Sequence, residues 1–367
     1  MNKAKIGVIG TGSISDIYLS SPKKFLNYEI TGVADLNINR AEEQAAKHQI
    51  SFAGTVSDLL AKDDIDLIVN LTIPAAHAEV SMMALQAGKH VYSEKPLAIS
   101  CSEGLKVMEK AKQLGLCLGT APDTFLGAGL QTCRYLLDQG VIGEPVGASA
   151  FMLGRGPESW HPNPEFFYKL GAGPLFDLGP YYLTALISLL GPVKKAVSMN
   201  KITVPEREIT SKPLAGKKIK VEVPTYVSSL LQFGNGVNAT FMTSFDVWET
   251  KLPKIEIYGT KGTLILPDPN GFDGPVYYMN QETDEWEEAP LISTLSGNCR
   301  GIGLADMIAG IEERRPFLCS GELGLHVLEV MEKIIDSSDQ ERFLELETRC
   351  DKPEPLAGFQ SLFVDLA

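Results

Sequence analysis

The sequence predicts an α/β chain: a doubly wound parallel sheet first, then an α+β domain with a large open, mostly antiparallel sheet. Three observations predict it. Over residues 1–121, short apolar runs alternate with helical periodicity in βαβαβ order. Gly10-Thr11-Gly12 sits where the first apolar run gives way to the first helix. From residue 122 the texture changes to alternating strands punctuated by glycine turns. A length of 367 residues fits two domains, 1–121 and 122–367, at roughly 150 residues per domain.

Residues 5–10 read as a strand and 13–25 as the helix after it. Residues 29–34 are a second strand, followed by a helix over 38–48. The continuous apolar run 65–71 suits a strand covered on both faces, as parallel sheets require. A helix over 75–87 stops at Gly88. Strand 90–92, helix 100–114 and strand 116–119 complete the set, with right-handed crossovers throughout. In the second domain a helix over 124–139 leads to strand 146–153, then a Gly/Pro-rich loop over 154–174. Runs 230–233 and 237–245 flank Gly234-Asn235-Gly236, a hairpin signal. Runs 255–258 and 263–266 form another pair, and helices return at 303–313 and 322–336.

The chain is 44% hydrophobic and 22% charged, ordinary for a soluble globular protein. A formal net charge of −13 disfavours nucleic acid and anionic membranes as partners, because both repel a diffuse negative field. The six cysteines include no Cys-x-x-Cys pair and have no histidine cluster beside them. Neither a disulfide framework nor a metal site is expected, and buried thiols in a reducing compartment fit better. No signal-peptide pattern and no apolar run of membrane-spanning length is present, so a cytoplasmic location is expected.

The stretch from Gly7 to Ser15 carries the first chemistry. Gly10 permits a tight turn, and Gly12 lets the backbone approach a pyrophosphate. Thr11, Ser13 and Ile14 complete the cradle, and Ser15 is small enough for the close helix–strand packing a third glycine usually provides. A lone Gly-x-Gly is also an ordinary turn; its strand–turn–helix setting favours a dinucleotide site of the Rossmann type. Asp35, ending the second strand, can accept from adenosine ribose hydroxyls and would repel a 2′-phosphate. That favours NAD over NADP, while nearby Arg40 leaves NADP open. The plainer reading of Asp35 is a helix N-cap.

Thr72, Pro74 and His77 follow the apolar strand, whose C-terminal end should face the cofactor crevice. For His77, simple packing weighs equally with cofactor contact. Glu94-Lys95-Pro96 follows the next strand. A lysine there can exchange a proton with a reacting hydroxyl, provided burial and the positive nicotinamide ring lower its ordinary pKa of about 10.4. Glu94 can serve as its counter-charge. Further on, Asp177 and Tyr181 share a helix face by their i, i+4 spacing, an acceptor and a phenol suited to a polyhydroxy substrate. The plainer reading is an Asp N-cap and a core tyrosine. Trp160 and His161, in the preceding loop, can add a stacking ring and a polar group to a substrate site.

With these residues in order, the chain resembles the Gfo/Idh/MocA oxidoreductases, the family of glucose–fructose oxidoreductase and inositol 2-dehydrogenase. The resemblance runs through Gly7 to Ser15, Ala34-Asp35, Thr72-x-Pro74 with His77, Gly88 to Pro96, the glycine-rich stretch 171–181 and the C-terminal helices. It implies a lysine acid–base group at Lys95, a substrate site that includes Lys95, and an open sheet that joins subunits into a dimer or tetramer. The family's Asp-x-Gly-x-His pattern maps onto Asp177 to Tyr181, so a tyrosine stands where the histidine is usual. The glucose–fructose oxidoreductase and dihydrodiol dehydrogenase branches are similar there. The implied activity is NAD(P)-dependent hydride transfer at a secondary alcohol or carbonyl of a sugar, sugar derivative or cyclitol. The alternatives are a non-catalytic nucleotide-binding sensor of the same fold and a dihydrodiol-type dehydrogenase.

Overall fold

A computed structural model of the chain describes residues 3–356, in two compact units. Within the described residues, the first unit holds 3–126, Gly297–Leu325 and Leu356, and the second holds Gly127–Ser296 and His326–Pro355.

Apolar runs buried on both faces make the first unit's sheet. Its elements are β1 (Ala4–Ile9), α1 (Ser15–Ser20), β2 (Tyr28–Ala34), α2 (Ile38–His48), β3 (Phe52–Gly54), α3 (Val56–Leu60), β4 (Leu67–Asn70), α4 (His77–Gln86), β5 (His90–Ser93), α5 (Cys101–Leu114) and β6 (Leu118–Thr120). Ile6, Val8, Val33, Ile68 and Val91 are all fully buried. The strands pair in parallel in the order β3-β2-β1-β4-β5-β6. The order reverses at β1, which opens a crevice at the strand C-terminal ends between β1 and β4.

The first helix is shorter than its periodicity implies. It ends at Ser20, and Pro22 opens a separate 3-10 turn, Ser21–Lys23. A proline there has no amide hydrogen to continue the ladder. Residues 74–76 likewise form a 3-10 turn ahead of α4. β3 and α3 are too short for their sequences to carry a period; Thr55 caps α3 by accepting the Asp58 amide at 3.2 Å.

The second unit has α6 (Ala128–Asp138), β7 (Pro145–Leu153), α7 (Gly173–Leu190), β8 (Val193–Lys201), β9 (Glu206–Glu208), β10 (Lys218–Lys220), β11 (Tyr226–Phe233), β12 (Asn238–Ser244), β13 (Ile255–Gly259), β14 (Gly262–Leu266), β15 (Tyr277–Asn280) and β16 (Glu287–Glu288). The chain continues through α8 (Ile302–Glu313) and α9 (Gly321–Gln340) to β17 (Leu344–Glu345). α8 is counted with the first unit, and α9 is divided between the two at residue 325.

A nine-stranded sheet runs β16-β15-β14-β13-β7-β12-β11-β8-β17. All its pairs are antiparallel except β7–β12. The predicted hairpin is β11–β12, in register from Tyr226↔Ser244 to Gln232↔Asn238. α7, apolar nearly all round, packs on β7, β11 and β12 and buries Leu183, Leu186 and Ile187 completely. On α9, His326 accepts the Val193 amide on Nε2 at 3.1 Å, so its Nδ1 carries the proton and donates to Thr348 Oγ1 at 2.9 Å. No helix among the described residues is long and apolar enough to cross a membrane.

Candidate active site

The glycine turn is shaped by backbone contacts before any ligand is considered. Gly10 has φ +99°, and a Cβ there would lie 2.6 Å from the Leu71 carbonyl oxygen. Only glycine fits both conditions. Gly12 differs: nothing lies within 4 Å of where its Cβ would be, so the turn leaves open room on that side. Ser15 is fully buried and donates from Oγ to the Gly12 carbonyl at 2.7 Å, which closes the turn onto α1. Ser13 and Ile14 lead into that helix, with Ile14 at its N-cap position.

Asp35 faces the turn. Its Oδ2 accepts from both the amide and the hydroxyl of Thr11, each at 2.8 Å, and its Oδ1 accepts from the Asn37 amide at 2.9 Å. The N-cap position of α2 belongs to Asn37. Burial acts to raise the Asp35 pKa. The Thr11 and Asn37 hydrogen bonds and the Arg40 charge outweigh it, so the carboxyl is held below its usual range. Arg40 itself is exposed in the first turn of α2.

The ends of β4 and β5 carry a second buried network. Asn70, fully buried, donates from Nδ2 to the His77 carbonyl at 2.9 Å and to Ser81 Oγ at 3.0 Å. Its Oδ1 accepts from the Thr72 hydroxyl at 2.7 Å and the Thr72 amide at 3.2 Å. Pro74 starts the 3-10 turn and is exposed. His77 opens α4 and is 1% exposed; both ring nitrogens face backbone carbonyls rather than solvent. Glu94 is buried, and its Oε1 accepts from the Tyr18 hydroxyl at 2.9 Å while Oε2 accepts from the Lys95 amide at 3.0 Å. Glu94 therefore grips the backbone of the residue beside it. Lys95 and Pro96 are joined by a cis peptide bond.

Three of these groups were not singled out from the sequence: Tyr18, Asn70 and Asp123. Tyr18 and Glu94 lie 76 positions apart, so no local signal joins them. Asp123, also buried, accepts the amides of Gly301 and Gly303 at 2.8 and 3.1 Å, at the start of α8. Burial pushes its pKa up to about 6, against the pull of those amides and of Arg300, with Glu94 adding to the rise. Between pH 4 and 6 the folded state keeps a proton that the unfolded state has released, so this group's contribution to stability falls as pH rises. The stability gap between wild type and Asp123→Asn should therefore shift against wild type by about 2 kcal/mol from pH 4 to pH 7, at 1.36 kcal/mol per pKa unit. Denaturant midpoints at both pH values would show it, and a pH-independent gap would contradict it.

In the second unit, α7 begins at Gly173 with Ala172 at its N-cap position, so Asp177 lies in the second turn and is not the N-cap. Tyr181 follows one turn later on the same face. Trp160 is 65% exposed, and its ring meets the His161 ring edge-on at 5.5 Å. His161 also packs against Phe166 and Phe167, and its Nδ1 accepts the Asn163 amide at 3.1 Å. This loop is pinned by Arg207, which donates to Glu158 at 2.7 Å and pairs with Asp246; Glu158 accepts from Tyr168, and Asp246 from Thr225 at 2.7 Å. Among the described residues no group of His, Cys, Asp and Glu side chains could hold a metal ion.

A parallel sheet of this order, with a glycine turn after β1 and an acid at the end of β2, defines a dinucleotide-binding protein of the Rossmann class. Residues 4–121 match the model of the oxidoreductase family with an NAD-binding Rossmann fold, and residues 130–265 match the Gfo/Idh/MocA C-terminal domain. The chain belongs to the Gfo/Idh/MocA oxidoreductases. It is similar to trans-1,2-dihydrobenzene-1,2-diol dehydrogenase of Bos taurus, 27% identical over 72% of this chain and 74% of that one. It is also similar to D-xylose dehydrogenase of Paenarthrobacter nicotinovorans, 23% identical over 84% and 85% of the two chains. A solved structure of levoglucosan dehydrogenase with NADH and L-sorbose shares the fold, with a TM-score of 0.81 and 19% identity over 94% of this chain and 99% of that one. The protein is an NAD-binding oxidoreductase. The room beside Gly12 and the oriented Asp35 carboxylate fit that cofactor's pyrophosphate and adenosine ribose.

Proposed function

We propose that this oxidoreductase moves hydride to or from a secondary alcohol or carbonyl of a sugar, sugar derivative or cyclitol, with Lys95 as the acid–base group. The observation that carries the reading is the mounting of Lys95. It stands at the C-terminal end of β5, and the doubly bonded, buried Glu94 holds its amide. A nicotinamide, when bound, supplies the hydride acceptor or donor. In the oxidative direction Lys95 Nζ takes the hydroxyl proton as the carbonyl forms; in reduction it returns that proton to the oxygen. Tyr181 hydrogen-bonds the reacting oxygen, and Asp177 accepts from substrate hydroxyls. Trp160 and His161 add a ring and a polar edge to substrate recognition. Residues 1–121 carry the cofactor, and 122–367 carry the substrate groups and the subunit interface.

The names of the xylose and levoglucosan relatives support a carbohydrate. A second reading, a dihydrodiol-type dehydrogenase, is favoured by the bovine relative and by the Trp160, Phe166 and Phe167 ring cluster. NADH absorbance with NAD or NADP and a panel of sugars, sugar acids, cyclitols and an aromatic dihydrodiol tests both. Turnover on a polyol alone supports the first reading, and turnover on the dihydrodiol alone overturns it.

A homodimer or homotetramer belongs to the same reading. On the sheet face that alternates with the buried one, Val197, Leu230 and Thr240 align across β8, β11 and β12. Leu230 is 51% exposed and Met199 82%, while Phe151 and Met242 are cross-strand neighbours on that same face. Light scattering at micromolar concentration should give a multiple of 39.9 kDa, and Leu230→Asp should lower it. A wild-type monomer would refute the interface.

A further inference from the structure

We propose that His77 is a positioning residue: its imidazole, seated beside the Thr72 carbonyl at the end of β4, donates to the carbonyl of Pro96, one residue past Lys95, and so sets where Lys95 stands. This rests on the reading of Lys95 as the acid–base group. The geometry assigns His77 to the protein's own backbone. Nδ1 lies 2.6 Å from the Pro96 oxygen and Nε2 2.9 Å from the Thr72 oxygen, and the residue is 1% exposed. With both nitrogens engaged, the ring has no polar atom left for a cofactor.

The mount is as fixed as the ring. Asn70 holds the His77 carbonyl and, through its other side-chain atom, both the amide and the hydroxyl of Thr72. The two loops that leave β4 and β5 are thereby cross-linked by polar contacts in a dry place, where an unpaired carbonyl costs about 1–3 kcal/mol. Glu94 grips Lys95 from its amide side and His77 from its far side, so the lysine backbone is held at both ends.

Protonation refines the picture. Both partners of His77 are acceptors only, so a neutral ring can donate to one of them. The shorter contact assigns that proton to Nδ1 and to Pro96. Burial lowers the His77 pKa, the two carbonyls and Glu94 act to raise it, and Lys95 acts to lower it, with burial dominant. At neutral pH the bond to Pro96 is therefore the one that holds.

The amide nitrogen of asparagine falls near the place of a histidine Nδ1, and that of glutamine near Nε2. His77→Asn keeps the donor toward Pro96, His77→Gln moves the donor to the Thr72 side, and His77→Ala has none. In the full-length protein, kcat should fall about 10- to 100-fold in His77→Ala and His77→Gln, because a displacement near 1 Å can cost that much. It should stay within about threefold of wild type in His77→Asn, and NADH affinity by fluorescence should hold in all three. If His77→Ala does not fold, the Asn–Gln pair still decides. A companion measurement is the imidazole 15N spectrum at neutral pH, expected to show a protonated Nδ1 with a downfield proton. Equal kcat in Asn and Gln variants, loss of NADH affinity in step with kcat, or a bare Nδ1 would each overturn the role. Lys95→Met is run alongside: if it turns over normally, the reading of Lys95 falls and this proposal with it, whereas a dead Lys95→Met with a fully active His77→Ala removes only His77.

Discussion

Lys95→Met should lower kcat by about 1,000-fold or more while NADH still binds. Methionine keeps nearly the length and packing of the lysine stem but can neither give nor take a proton. General acid–base catalysis by a placed side chain is worth roughly 100- to 10,000-fold, and loss of the ammonium also removes a charge beside the reacting oxygen. The amide that Glu94 holds is a backbone group, so the substitution leaves that contact in place. Single-turnover rates and NADH fluorescence on the same preparations check both halves. Retained turnover would remove Lys95 from the chemistry. A wild type that binds NADH yet turns over no member of the panel would instead favour a nucleotide-binding sensor of the same fold.

Gly10→Ala and Gly12→Ala should part company, although they lie two residues apart. At Gly10 the added methyl meets the Leu71 carbonyl at 2.6 Å, and φ is +99°. Backbone strain of about 1–3 kcal/mol adds to overpacking of similar size, so stability should fall by roughly 3 kcal/mol or more. At Gly12 the methyl meets no protein atom within 4 Å. Stability there should stay within about 0.5 kcal/mol of wild type, as for ordinary surface changes. NADH affinity should nevertheless drop, because the methyl occupies the room the pyrophosphate needs. Denaturant unfolding and NADH titration of both variants separate the two roles. Equal stability losses would show that Gly12 serves the fold, and unchanged NADH affinity in Gly12→Ala would move the phosphate site elsewhere.

Much of this was legible in the residues themselves. The parallel sheet announced itself because strands buried on both faces read as unbroken apolar runs, as at 65–71. The glycine turn, Asp35 and the hairpin around Asn235 were legible because tight turns restrict which residues can occupy them. Helix ends were less so: Pro22 marks the end of α1, but the apolar spacing around it runs on to Phe25. β3, α3 and the two-residue strands are too short to show a period. Asp177 illustrates a subtler limit, since the glycines ahead of it resemble a loop, yet Gly173 and Pro174 already form the first turn of α7.

The sequence by itself determined the strand–helix alternation of the first unit, the glycine turn after β1 and the strand ends that Asp35, His77 and Lys95 follow. Those are properties of short windows, where sterics and hydrophobic periodicity act between neighbours. Only the tertiary structure decided which distant groups hold them. Tyr18 meets Glu94, Asp123 meets the start of α8, and His77 meets Pro96. Each is a buried polar group that must find a partner once water is excluded, and the partner is whatever the packed strands bring within about 3 Å. That requirement is absent from the unfolded chain, where water satisfies every one of these groups, so no pattern in the sequence records it.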